Sequence, residues 1–171
     1  MPSNKELEKL MGPDLWARTL VSLNKAFQLN TIVIEIDGQL MFPPIFSNSF
    51  CPLIGKDTAS KTIYGCGNYN DAIQDVHSKG GPSITRCRSG FARFLMPIRS
   101  HGRMVGCVGG CGALIGSEEL PMDKISIIAK EIGSDSSSLL AEAKASIPRL
   151  TSGVIDTYFS LLKNRVSARL D

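Results

Sequence analysis

Three cysteines carry the most versatile chemistry in this chain, and each sits among small or turn-forming residues: Phe50-Cys51-Pro52, Gly65-Cys66-Gly67-Asn68 and Arg86-Cys87-Arg88-Ser89-Gly90. They are separated by 14 and 20 residues, which is not the Cys-x-x-Cys spacing of a zinc ribbon or a thioredoxin-type site, so any shared site has to be assembled by the tertiary fold. Close-set thiolates repel unless a cation neutralises them. Zinc, iron and an iron–sulfur cluster are therefore the metal chemistries to weigh, against thiols that act as redox sensors and thiols that merely pack as small hydrophobes. Cys107 or Cys111 would supply a fourth ligand, but hardly both, because four residues of strand rise about 13 Å. Gly109 and Gly110 between them allow a bulge or a close backbone approach.

Charge reinforces the interest of this region. Val76 to Ser117 contains no Asp or Glu but holds Lys79, Arg86, Arg88, Arg93, Arg99 and Arg103, which leaves 13 basic against 16 acidic residues elsewhere in a chain of net charge +3. Such a stretch favours anions and thiolates, although its arginines also suit solvated loops and strand faces. Arg86 and Arg88 should point away from Cys87 if the segment is extended. A thiol enzyme needs a base within reach of its nucleophile. The two histidines are badly placed for that role, His77 on an expected helix and His101 at a hairpin turn, so a non-catalytic protein is expected. The glycine-rich stretch 106–112 lacks the Gly-Lys-Ser/Thr ending of a phosphate loop. No helix-turn-helix pattern accompanies the basic residues, so no direct nucleic-acid contact is expected.

The elements that must position these groups are legible from periodicity. Trp16, Leu20, Leu23 and Phe27 define an amphipathic helix from Asp14 to Gln28, with Pro13 near its start. Thr31 to Ile36, the Asp37-Gly38 turn and Gln39 to Phe42 predict a hairpin, ended by Pro43 and Pro44. A short helix follows at Cys51 to Ile54, with Ser47 or Asn48 as cap, then another from Asn68 to Ser78, stopped by Gly80-Gly81-Pro82. Strands are expected at Ser83 to Cys87, Phe91 to Arg99 and Arg103 to Leu114. Of the middle strand's two faces, Phe94 with Met96 is the more apolar, and it is expected to line a cavity beside the cysteines. A helix carrying Ile125, Ile128, Ala129 and Ile132 is expected to continue through Leu139 and Leu140 to a pause at Pro148. Ile155, Tyr158, Leu162 and Val166 mark a last amphipathic helix, whose stripe must pack on its own sheet or on a second copy; a homodimer is the expectation. A hydrophobic content of 43% in 171 residues suffices for one real core. The odd cysteine count, the polar N-terminus and the lack of an apolar run long enough to span a membrane point to a soluble cytoplasmic protein.

Taken in order, Phe50-Cys51, Cys66, Cys87 with Gly90, Pro97-Ile98 and Gly106 with Gly109-Gly110 resemble the sensory module named after the PocR regulator, a relative of the PAS and GAF folds. The resemblance covers residues 14–145, leaving 1–13 as an N-terminal extension and 146–171 as a C-terminal amphipathic helix. It implies an α+β fold, a PAS/GAF-like antiparallel sheet with flanking helices, that binds a small-molecule ligand and signals through dimer helices. Arg88 stands where the family usually places histidine, and Cys111 where it usually places glutamine. The expected ligand contacts are Phe94, Met96, Arg88 and Cys111, and the expected metal ligands are Cys51, Cys66, Cys87 and Cys111. Relatives often precede DNA-binding, kinase or chemotaxis modules, so an output partner or fused domain outside this chain is expected.

Overall fold

The computed structural model describes residues 6–55 and 69–167. Its centre is a sheet in the order β1-β4-β3-β2, built antiparallel from β1 (Asn30–Glu35), β2 (Ser83–Arg86), β3 (Ala92–Ser100) and β4 (Arg103–Ile115). A two-residue strand, β5 (Arg149–Leu150), runs parallel to the end of β4. The helices are α1 (Glu6–Leu10), α2 (Pro13–Phe27), α3 (Phe50–Ile54), α4 (Asn70–Lys79), α5 (Met122–Glu131), α6 (Ser136–Ser146) and α7 (Ser152–Ser167). This is the α+β architecture expected from the sequence.

Strand alternation gives the sheet two apolar faces. Val33 of β1, Phe94, Met96 and Ile98 of β3 and Val108 of β4 pack with Trp16, Leu20 and Leu23 of α2 and with Ile155, Tyr158 and Leu162 of α7. Ile32 and Ile34 of β1, Leu95 of β3 and Cys107 of β4 pack instead with Ala72, Ile73 and Val76 of α4. A third cluster joins Phe50 and Ile54 of α3 to Ile125 and Ile128 of α5, Leu139 of α6, Phe91 and Leu114.

The stripe expected to meet a second copy is used within the monomer. Ile155, Tyr158, Leu162 and Val166 are all buried against their own sheet. The reason is one of widths: four strands spaced about 4.8 Å apart are broader than the roughly 10 Å of one helix, so α2 alone leaves apolar sheet uncovered.

Two local readings are also modified. The turn at Gly38 (φ +82°) returns the chain beside β1 as expected, with Met41 N–H donating to the Val33 carbonyl at 2.9 Å and Thr31 and Ile45 exchanging bonds at 3.0 and 3.2 Å. The return forms isolated bridges rather than a strand, because Pro43 and Pro44 have no N–H to continue the ladder. The long helix expected after Pro121 breaks at Gly133 (φ +67°). It restarts where the Asp135 carboxylate accepts from Ser138 N–H at 2.8 Å as an N-cap.

Candidate ligand site

The cavity that gathers the cysteines begins with a slip in register. Ala92 pairs with Ala113 but Arg93 with Cys111, so Gly112 is an extra residue on β4. Its φ of +85° suits glycine, and a Cβ there would lie 2.7 Å from Asn30 Nδ2 and 2.9 Å from Asn48 Nδ2. This bulge borders a cavity of about 30 Å³ whose wall includes Asn30, Cys51, Cys87, Ser89, Arg93 and Cys111, with Phe46, Ile54, Tyr69 and Phe91 supplying apolar surface.

Each polar wall group is fixed by neighbours. Asn30 Oδ1 accepts from Ser47 N–H at 2.9 Å and from Asn48 Nδ2 at 3.1 Å, while Asn48 Oδ1 accepts from Cys51 N–H at 2.8 Å. This chain of bonds sets the start of α3 and holds Cys51 at the wall. Asn30 Nδ2 itself is buried with no hydrogen-bond partner. Ser89 lies in the turn closed by Gly90 N–H donating to the Cys87 carbonyl at 2.9 Å, and its Oγ is likewise buried and unpartnered. Buried polar atoms are seldom left so, because each costs about 1–3 kcal/mol.

Arg93 is only 2% exposed. Its Nε donates to Thr85 Oγ1 at 3.0 Å, and its Nη2 donates to Asp71 at 2.7 Å and to the Arg86 carbonyl at 2.8 Å. The guanidinium carbon stands 5.8 Å from the centre of the Tyr69 ring. Asp71, its ion-pair partner, has a side chain 67% exposed, so a hydrated carboxylate faces a buried cation.

The structure therefore brings Cys51, Cys87 and Cys111 to the wall of one cavity. Cys66 lies outside the described residues. Among the described residues, no three His, Cys, Asp or Glu side chains gather closely enough to hold a metal ion. Cys107 is fully buried with Ile32 and Leu95, and desolvation pushes its thiol up to about 12. Arg88 is exposed in the turn and is not part of the wall, while Arg86 turns outward to pair with Glu118. His77 and His101 are both exposed and do not border the cavity either.

Phe94 and Met96 do not line the cavity expected beside the cysteines. They face the terminal helices, with the Phe94 ring 6.3 Å from both Tyr158 and Phe159. Alternation separated the two sets of β3 residues correctly, but the cysteines share the less apolar face, the one with Arg93, because the more apolar set is claimed by two helices. Asn30, Ser89 and Arg93 were not singled out as site residues. Arg93 did leave a signal, as a lone charge inside Phe91-Ala92-Arg93-Phe94-Leu95-Met96. Asn30 and Ser89 left none.

A family model described as the sensory domain found in PocR matches residues 10–168. The chain belongs to this family. The match takes in the segment carrying α7, beyond residue 145 where the sequence resemblance was drawn to end. No curated protein matches the chain.

Proposed function

We propose that this PocR domain is a cytoplasmic sensor whose small-molecule ligand occupies the cavity between Asn30, Ser89, Arg93 and Cys111 and is reported through α7. One observation carries the reading: two buried polar atoms without partners, Asn30 Nδ2 and Ser89 Oγ, belong to residues that border the same cavity, and a ligand bonded to them would satisfy both. The route to α7 is short. Arg93 borders the cavity and its neighbour Phe94 packs on Tyr158 and Phe159; Cys111 borders it and its neighbour Gly110 underlies the Tyr158 hydroxyl. A ligand that fits one packing of these strands better than another shifts α7 by that difference in affinity. No helix among the described residues is long and apolar enough to cross a membrane.

The homodimer remains part of this proposal, with its contact moved. Because the inner stripe of α7 is buried, a second copy would meet the outer face of α2, where Ala17, Val21 and Ala26 are exposed. An output partner or fused domain would then read the position of α7.

The test is a thermal-shift screen of compact organic molecules against the ligand-free protein, repeated on Cys111→Met, which narrows the cavity. Stabilising compounds should lose their effect in the variant. Stabilisation that is equal in both proteins would place the ligand elsewhere.

A second reading, zinc or an iron–sulfur cluster held by Cys51, Cys66, Cys87 and Cys111, draws on three cysteines that border one cavity and requires them to come closer together than they stand here. Elemental analysis and visible absorption of anaerobically purified protein test it. A colourless, metal-free preparation removes it.

A further inference from the structure

The unsatisfied groups of the cavity define what they would bind. Asn30 presents a donor inward, because its Oδ1 already accepts two hydrogen bonds, from Ser47 N–H and Asn48 Nδ2, and this fixes the amide orientation with Nδ2 unpartnered. Ser89 offers a free hydroxyl. Arg93 adds a buried cation whose ion-pair partner is largely hydrated, and among the described residues that border the cavity there is no Asp or Glu. Beside these lie Phe46, Ile54 and Phe91, which suit carbon rather than a second polar group.

Accepting that this cavity is the sensory site, we infer that its ligand is a short-chain carboxylate, its oxygens facing Asn30, Ser89 and Arg93 and its carbon end facing Phe46, Ile54 and Phe91. A carboxylate accepts only, and so matches a wall of donors without bringing a proton that needs a home. A neutral diol or amide brings donors of its own, for which the described side chains of the wall offer few acceptors, the Ser89 and Tyr69 hydroxyls and cysteine sulfur. Size agrees. A cavity of about 30 Å³ has room for more than the roughly 10–15 Å³ that one water needs, so it suits a compact ligand.

Titration calorimetry at neutral pH and constant ionic strength would compare sodium acetate, propanoate and butanoate with the corresponding primary amides, a propanediol and inorganic phosphate. The informative variant is Asn30→Asp, which keeps the oxygen that bonds Ser47 and Asn48 and replaces only the inward donor by an anion. Carboxylates should bind the wild type in preference to the amides and the diol. Their Kd should rise roughly tenfold or more in Asn30→Asp, where a charge-assisted donor becomes a like charge, and rise by a smaller factor in Ser89→Ala.

Preferential binding of the amides, the diol or phosphate would overturn the carboxylate assignment while leaving the cavity as the sensory site. So would carboxylate binding unchanged in both variants. Absence of carboxylate binding to the wild type overturns it too, and the Cys111→Met screen then decides separately whether the site itself stands.

Discussion

Replacing Ser89 by alanine should make the ligand-free protein more stable, against the usual direction of mutational change. The hydroxyl is 1% exposed and its oxygen has no hydrogen-bond partner, so folding strips its water and returns nothing. Such a group costs about 1–3 kcal/mol. Alanine removes that cost and forfeits a few dispersion contacts of about 0.1–0.2 kcal/mol each, and Ser89 does not have the positive φ that would strain it. The net gain is about 1 kcal/mol, or roughly 2–4 °C in Tm for a domain of this size. Urea and thermal unfolding of wild type and variant, both freed of small molecules, measure it, and the response to ligand should fall as stability rises. A Ser89→Ala protein that is less stable than wild type would show that the hydroxyl is satisfied in solution, and the case for a ligand-shaped vacancy there would fail.

Leu162→Glu should unfold the domain rather than separate a dimer, because Leu162 is fully buried on its own sheet and an unpaired carboxylate there costs at least several kcal/mol; a folded, monomeric variant by circular dichroism and light scattering would contradict this packing. At pH 8 iodoacetamide should modify partly exposed Cys87 long before Cys107, whose thiol is held near 12 by burial, and peptide mass mapping would read the order. Glu118 is held below its ordinary range first by its hydrogen bonds from Arg86, with help from Ile115 N–H, and Asp75 by Lys79 and Ser83. With their folded values depressed, both carboxylates stabilise the fold fully above about pH 4.3 and lose that contribution as pH falls through their folded values. Glu118→Gln should therefore flatten the acid limb of a stability–pH curve, and an unaltered limb would show that its ion pair contributes nothing.

Elements whose periodicity is local were read correctly. α2 is written in Trp16, Leu20 and Leu23, β3 and β4 in their apolar runs around the Ser100 to Arg103 turn, and α7 in its stripe. Which partner each stripe meets is a tertiary matter, and so the covering of the sheet by α7 and the assignment of Phe94 and Met96 to that face were not visible beforehand. Of the four cysteines expected as metal ligands, Cys51, Cys87 and Cys111 border one cavity, which only the tertiary fold assembles. The polar groups that give the cavity its chemistry were missed, since an Asn at a strand start and a Ser in a turn are ordinary in sequence. They become unusual only when burial removes every partner. β5, two residues long, has no periodicity to detect.

The chain leaves the sheet at the end of β4 and returns to the same place. Leu114 N–H donates to the Pro148 carbonyl at 2.9 Å and Gly116 N–H to the Leu150 carbonyl at 2.8 Å, so the α5–α6 pair is an excursion clasped at its base. Its apolar residues belong to a cluster separate from those on the two faces of the main sheet. Such a unit can open and reclose without melting the strands. Its far side rests on Phe50, Cys51 and Phe91, the last two of which border the cavity, so each opening uncovers the cavity from behind. Amide exchange at Ile125 and Ile128 and alkylation at Cys51 would then share one opening equilibrium, and the rate at which a ligand finds its place would be set by the breathing of a helical hairpin that does not touch it.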